Sequence, residues 1–316
     1  MIKVAVTDLE YNKAVDVFEN AVGIESICAP TPEMELAGFI RENHISHVVI
    51  GVDKYKDALY DALPAGGVIA RFGVGHDGVN KALAAEKGLY CTNTPGVLDD
   101  SVAECAVGLM LVAARQLAVC TNDNKNGIWK NRIGFELSKK RLAVIGCGNI
   151  GRKVAKIAKN GFGMEVIGFD VVEPQEQDFI DGFSSDFATA VKEADFITIH
   201  IPDIASTRNF INTERMSLMK SSAVLINTAR GGVLDENALY DAVKTGIIGG
   251  AALDVFKVEP YVPQSPVKDL RTLENVIMTP HIGSSTVEAC KRMACDALKN
   301  IELCENNKIS EMSIIS

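Results

Sequence analysis

The sequence predicts an α/β protein built on parallel sheets, and three observations carry that expectation. Short runs rich in Val and Ile alternate along the chain with stretches whose apolar residues recur at helical spacing. One strand-like run passes directly into Gly-x-Gly-x-x-Gly and then a helical segment. The 316 residues are about twice the length of a typical single domain. Alternation of the two element types suits parallel strands, because each return to the same end of a sheet needs a crossover.

Taken in order, strands are expected at residues 3–7, 47–50, 68–71, 142–145, 165–169, 196–199, 223–226, 249–255 and 276–279, where β-branched residues are dense. Helices are expected over residues 12–22, 152–162, 235–246 and 286–304. One more helix stands apart. Ser101-x-x-Glu104 has the form of a capping box, and residues 105–114 are apolar on nearly every face, so this helix should be buried all round. Such a helix sits centrally within a two-domain chain or meets a second subunit.

Composition excludes several classes of function. Hydrophobic residues make up 47% and charged residues 23% of the chain, which rules out a disordered or fibrous protein. Lys and Arg number 32 against 41 Asp and Glu, and the longest basic cluster is Lys139-Lys140-Arg141, so nucleic-acid binding is not expected. The longest uncharged apolar stretch, 105–114, is about half of what spans a bilayer, so no membrane segment is expected. The first eight residues alternate like a strand and lack the basic and apolar regions of a signal peptide. Eight cysteines without a Cys-x-x-Cys pair, and no His at metal-ligand spacing, point to a reduced, cytoplasmic protein without a metal.

The strongest chemical signal is the run from Leu142 to Ile145 followed by Gly146-Cys147-Gly148-Asn149-Ile150-Gly151. Gly146 permits a tight turn, Gly148 lets a pyrophosphate approach the backbone, and Gly151 lets helix and strand pack closely. The phosphates would rest on the positive end of the helix. Nineteen residues past Gly151, Asp170 ends the next strand, where a carboxylate accepts from ribose hydroxyls and repels a 2′-phosphate. NAD is therefore expected rather than NADP.

Three later segments, 226–232, 252–260 and 279–284, each follow an apolar strand. They place Arg230, Glu259 and His281 at or just past carboxyl ends of parallel strands, the edge where open α/β sheets bind ligands. Together these residues form a complete set for reducing a carbonyl beside a carboxylate. His281 can donate a proton to the developing alkoxide, Glu259 can hold the imidazolium and raise its pKa, and Arg230 can bind the carboxylate and polarise the carbonyl.

With these motifs in their observed order, the chain resembles the D-isomer-specific 2-hydroxyacid dehydrogenase family. The likeness extends upstream through Arg71-Phe72-Gly73-Val74-Gly75-His76-Asp77 and Asn93-Thr94-Pro95-Gly96, and covers about residues 45 to 300. It implies two Rossmann-like domains with a cleft between them: a flavodoxin-like substrate domain, residues 1–97 and 287–316, interrupted by an NAD-binding Rossmann domain, residues 98–286. Arg230, Glu259 and His281 become the catalytic triplet. NAD is implied to contact Val74, Gly146, Gly148, Asn149, Ile150, Gly151, Asp170, Ile201, Pro202, Thr228, Ala229, Arg230, Asp254, His281 and Gly283. The substrate is implied to meet Phe72, Gly73, Val74, Gly75, Arg230 and His281, with backbone amides of the 72–75 turn holding its carboxylate. His200 reads as a structural neighbour of the cofactor, and His76 as a surface loop residue or a substrate contact.

The implied reaction is the NAD-dependent interconversion of a small 2-keto acid and its D-2-hydroxy acid. Glu259 stands where formate dehydrogenases of this superfamily carry Gln, which disfavours formate oxidation. Relatives acting on phosphoglycerate usually carry an Arg-Ser pair after the strand that here runs into Gly51-Val52-Asp53. Loss of that charge-assisted contact is worth about 1.5 to 3 kcal/mol, so glyoxylate, hydroxypyruvate or another small keto acid is favoured. The alternatives are a phosphoglycerate dehydrogenase of serine biosynthesis without a regulatory domain and, from another class, an NAD-sensing corepressor or scaffold. The chain ends at Ser316, soon after the last expected helix, so serine control through a further domain is not expected. A homodimer through residues 102–114 is expected.

Overall fold

The computed structural model describes residues 1–175 and 178–315. It divides the chain into two compact units, Met1–Leu98 with Ser284–Ser316 and Asp99–Gly283. The sequence placed the insert at 98–286.

The first unit opens with β1 (Ile2–Thr7), α1 (Asp8–Tyr11), α2 (Val15–Glu19), β2 (Ile24–Ala29) and α3 (Glu33–Glu42). It continues through β3 (His47–Ile50), α4 (Ala58–Ala62), β4 (Val68–Arg71), α5 (Lys81–Glu86) and β5 (Tyr90–Thr92). All five strands are parallel, in the order β2-β1-β3-β4-β5, the flavodoxin-like arrangement whose strand order reverses beside β1. Every residue of β3 and β4 is buried, as expected of central strands covered on both faces.

The second unit holds α6 (Asp99–Ala114), α7 (Leu117–Lys125), β6 (Arg141–Ile145), α8 (Asn149–Phe162), β7 (Glu165–Phe169), β8 (Gly182–Ser184), α9 (Phe187–Val191) and β9 (Phe196–Ile199). After them come α10 (Thr213–Met216), β10 (Val224–Asn227), α11 (Glu236–Lys244), β11 (Gly250–Leu253) and β12 (Val276–Met278). The chain then returns to the first unit as α12 (Val287–Glu305). Seven parallel strands run β12-β11-β10-β9-β6-β7-β8. Alternation along each strand separates two cores: Leu142, Val144 and Ile226 pack with α6 and α8, whereas Ala143, Ile145 and Leu225 pack with residues of α9 and α11.

Three strands were not anticipated, β2, β5 and β8, and all are sheet edges. An edge strand has one neighbour and partial exposure, so it lacks the continuous apolar run that marks a central strand. Of the helix expected over 12–22 only α2, Val15–Glu19, forms; Ala14, in a non-helical conformation, starts it late, and α1 lies wholly before the expected range. The capping-box expectation is also corrected. Helix α6 begins at Asp99, so Ser101 lies inside the first turn and does not cap it. Nor is α6 buried all round: Glu104 is exposed and Cys105, Gly108, Leu111 and Val112 are half-buried, a stripe at helical spacing. No single helix among the described residues is long and apolar enough to cross a membrane.

Candidate active site

In the second sheet the strand order reverses between β6 and β9, so the loops after these strands flank the crevice where such sheets bind ligands. The loops touch there. Gly146 adopts φ +101°, and a Cβ on it would meet the His200 carbonyl carbon at 2.7 Å. A Cβ on Gly151 would collide with the Gly146 carbonyl oxygen, so helix and loop pack at glycine distance. Gly148 differs: it is the N-cap of α8, and nothing lies within 4 Å of a Cβ built on it. Two of the glycines close the structure and the third leaves room beside the helix start.

Asp170 follows β7 and accepts from the Cys147 N–H at 2.8 Å, which ties it to the glycine loop. Asn149 begins α8, and its side chain hydrogen-bonds buried Asp99. Ile150 and Ile201 are half-buried and Pro202 is exposed. His200 contacts Thr198 Oγ1 through Nε2 at 2.9 Å, and burial pushes its pKa down to about 3. It is neutral at ordinary pH and is no proton donor.

The catalytic candidates share one edge because three strands end in register. Asn227 of β10 pairs with Leu253 of β11, which pairs with Met278 of β12. The Asn227 side chain then clamps the next loop, accepting from the Ala229 N–H at 3.0 Å and donating to the Arg230 carbonyl at 2.9 Å. Thr228 is 7% exposed, and its hydroxyl has no hydrogen-bond partner among the described residues. A Cβ on Gly231 would strike the Phe256 backbone, so this loop and the one after β11 lie in contact.

His281 and Glu259 form the centre of the cluster. His281 Nδ1 and Glu259 Oε2 are 2.7 Å apart, and Glu259 Oε1 accepts from the Phe256 N–H at 2.8 Å. With Nδ1 donating to the carboxylate, Nε2 is left for exchange with a substrate. Burial raises the Glu259 pKa, but the bond and charge of His281, the Phe256 amide and the charge of Arg230 outweigh it and hold the carboxyl below its ordinary value. Both side chains are about one-third exposed, so the pair is open to solutes.

Two residues have structural tasks that sequence reasoning missed. Asp254 is 1% exposed, and its carboxylate accepts from Thr279 Oγ1 at 2.6 Å, Ile282 N–H at 2.9 Å and Gly283 N–H at 2.7 Å. It organises the loop that carries His281. Glu236, also buried, accepts from the Lys257 N–H at 2.7 Å and Gln264 Nε2 at 3.1 Å, which braces the loop carrying Glu259. An acid just beyond a strand or at a helix start was the available signal, but its partners are distant in sequence.

In the first unit, the turn after β4 separates its residues by burial. Phe72 is 4% exposed with its ring 6.4 Å from that of Phe18, and Gly73 is buried at φ +140°. Val74, Gly75 and His76 are half-buried. Of the expected substrate residues in this turn, Phe72 and Gly73 thus form its inner side and Val74 and Gly75 its accessible side.

Comparison with known proteins gives consistent results. Residues 107–283 match the family described as D-isomer specific 2-hydroxyacid dehydrogenase, NAD binding domain. The D-3-phosphoglycerate dehydrogenase of Methanocaldococcus jannaschii is 41% identical over 97% of this chain, which spans 59% of that protein's length. The hydroxypyruvate reductase of Thermotoga maritima is 44% identical over 74% of this chain and 76% of its own. Among solved structures, an NADPH-dependent glyoxylate/hydroxypyruvate reductase of Sinorhizobium meliloti superposes with a TM-score of 0.85 at 26% identity, over 100% of this chain and 98% of that one.

Proposed function

Because the chain belongs to the D-isomer-specific 2-hydroxyacid dehydrogenase family, we propose that it reduces a small 2-keto acid to the D-2-hydroxy acid with NADH, and runs the reverse oxidation with NAD. The observation that carries this reading is the 2.7 Å pair of His281 and Glu259 beside Arg230, at the carboxyl edge of the dinucleotide-type sheet.

The residues fit a dinucleotide. Gly148 leaves open space at the start of α8 for a pyrophosphate, and the buried Thr228 hydroxyl is an unused polar group beside the catalytic loop. When bound, the nicotinamide supplies or accepts the hydride. Asn149 and Ile150 sit where the phosphates would be held, and Asp170 where the adenosine ribose would be. Asp170 and the absence of any Lys or Arg from 171 to 191 support NAD over NADP, since a 2′-phosphate would meet a carboxylate and no cation from that segment.

In the reducing direction, Arg230 binds the substrate carboxylate and draws electron density toward the carbonyl oxygen. His281 delivers a proton from Nε2 to that oxygen, and Glu259 keeps the ring oriented and stabilises its charged form.

A D-3-phosphoglycerate dehydrogenase is the second reading, favoured by the relative of that name at 41% identity. Against it, Gly51-Val52-Asp53 after β3 offers an acid and no arginine for a phosphate. NADH oxidation with glyoxylate, hydroxypyruvate, pyruvate, 2-oxoglutarate and phosphohydroxypyruvate decides between them. Fastest turnover with an unphosphorylated acid is expected. Preference for phosphohydroxypyruvate would establish the second reading, inertness with all five would overturn both, and a preference for NADPH would overturn the cofactor assignment.

We further assign the open stripe of α6 and the segment after it to a second copy of this chain. Helix α7 has no buried residue, and Trp129 and Ile133 are 90% and 91% exposed. Apolar side chains this bare and this close in sequence suit an interface.

A further inference from the structure

The turn after β4 is held from behind at three successive carbonyls. The Arg71 guanidinium donates to the Phe72 carbonyl, the Thr94 N–H donates to the Gly73 carbonyl at 3.1 Å, and Asn93 Nδ2 donates to the Val74 carbonyl at 2.8 Å. In a planar trans peptide the C=O and the following N–H point in opposite directions. Fixing the Gly73 and Val74 carbonyls therefore aims the N–H groups of Val74 and Gly75 to the other side. Neither N–H has an acceptor among the described residues, and both residues lie on the accessible side of the turn. Two successive amides facing one way make a small anion site.

Of the two ties that aim the Val74 and Gly75 amides, the one on the Gly73 carbonyl is backbone and the one on the Val74 carbonyl depends on a single side chain, Asn93. Asn93 is itself braced by its own unit. Its N–H donates to the Ser313 carbonyl at 3.2 Å, and its carbonyl accepts from Asn300 Nδ2 at 3.5 Å. The Ser313 N–H donates to Asn300 Oδ1 at 2.8 Å, and Asn300, on α12, is 2% exposed. The end of β5, the last long helix and the segment after it thus hold one amide group against one carbonyl.

We propose that Asn93 is a positioning residue for substrate binding: by pinning the Val74 carbonyl it presents the Val74 and Gly75 amides as a paired donor for the carboxylate of the 2-keto acid. The proposal rests on the reductase reading above. It goes beyond it in naming what shapes the site, a residue that never touches the substrate. A carboxylate loses affinity when either amide turns away, whereas among the described residues Asn93 makes no hydrogen bond to the proposed proton-donating pair or to the glycine loop. The effect belongs in KM rather than in kcat.

The test compares the wild type with Asn93→Asp, which keeps the shape but loses the donor when ionised, and Asn93→Ser, which shortens the reach. KM and kcat are measured with the keto acid the wild type reduces best, alongside the inhibition constant of oxamate at saturating NADH, NADH affinity and Tm. KM and the oxamate constant should rise together by about tenfold or more, as for loss of a hydrogen bond to a charged group. Turnover should fall by less than about threefold, with NADH affinity unchanged. The Asp variant should recover toward the wild type at lower pH as its carboxyl gains a proton to donate, a response a purely structural residue would not show. Folded variants with KM and oxamate binding within about twofold of the wild type would overturn the proposal.

A measurement on the unaltered protein covers the case in which neither variant folds. In an amide NMR titration, oxamate should shift the Val74 and Gly75 resonances, and binding that leaves both unmoved overturns the proposal. A protein inert toward every keto acid whose two amides still respond to oxamate would overturn the reductase reading while leaving the anion site standing. Turnover with unmoved amides would do the reverse.

Discussion

His281 has φ +53°, a conformation that residues other than glycine seldom take, and its surroundings explain how it is kept there. Its N–H donates to the Asp254 carbonyl at 2.9 Å, while the Asp254 carboxylate gathers the amides of the next two residues. The ring is thereby presented to Glu259 by a fully buried acid. His281→Ala should lower kcat by at least ~10²-fold with NADH affinity nearly intact, and a variant with normal kcat would remove the assignment. The Glu259 carboxyl lies below its ordinary value, so the stability its ionised form contributes is complete above the unfolded value and is lost as pH falls through the lowered one. Glu259→Gln replaces this persistent charge with a neutral amide. It should change the pH dependence of turnover, and a profile that superimposes on the wild type would argue against the pair. Arg230, Glu259 and His281 were legible in the sequence because each sits in a short motif directly after an apolar run. Asp254 was legible as a residue but not in its task, since its partners lie 25 to 29 positions away.

At the scale of elements, the glycine loop between β6 and α8 separates two functions that its spacing alone merges. Gly148→Ala fits the fold, because nothing lies within 4 Å of the added Cβ and φ is −73°. It should leave Tm nearly unchanged while weakening NADH binding. Gly151→Ala would force a Cβ into the Gly146 carbonyl and should lower Tm, since backbone on both sides cannot yield cheaply. Fluorescence titration with NADH and a thermal melt of each variant check the contrast; equal Tm losses would contradict it. Strand recognition divided by position in the sheet. The interior strands β1, β3, β4, β6, β7, β9, β10 and β11 were all anticipated, because burial on both faces demands an apolar run. Three edges were not, and of the four only β12 was read correctly. Helix α6 shows the converse error: its apolarity was real, but apolar residues remained half-exposed along Cys105, Leu111 and Val112, which periodicity cannot reveal.

At the scale of the whole molecule, two properties are open to measurement. His200 is held neutral by burial with its pKa near 3, so between the unfolded value of about 6.5 and that lowered value the unfolded chain binds the extra proton. Stability should therefore fall as pH drops through this window, by no more than about 1.4 kcal/mol per pH unit from this group. His200→Asn should flatten the fall, and an unchanged acid limb of the unfolding curve would refute the contribution. Sedimentation should give the mass of two chains, and Leu111→Arg or Ile133→Asp should shift it toward one; a monomeric wild type would dismiss the interface. By itself the sequence determined the fold class and singled out the glycine loop and, as candidates for one site, His281, Glu259 and Arg230. Each of these is written in local spacing, where a strand, a turn and a functional residue follow one another within a dozen positions. Only tertiary structure decided which side chains hold those groups in place. Asp254 meets the loop of His281, Glu236 that of Glu259, and Asn93 that of Val74, through hydrogen bonds between segments far apart along the chain. A buried polar group must find such a partner, but its own neighbours in sequence do not say which.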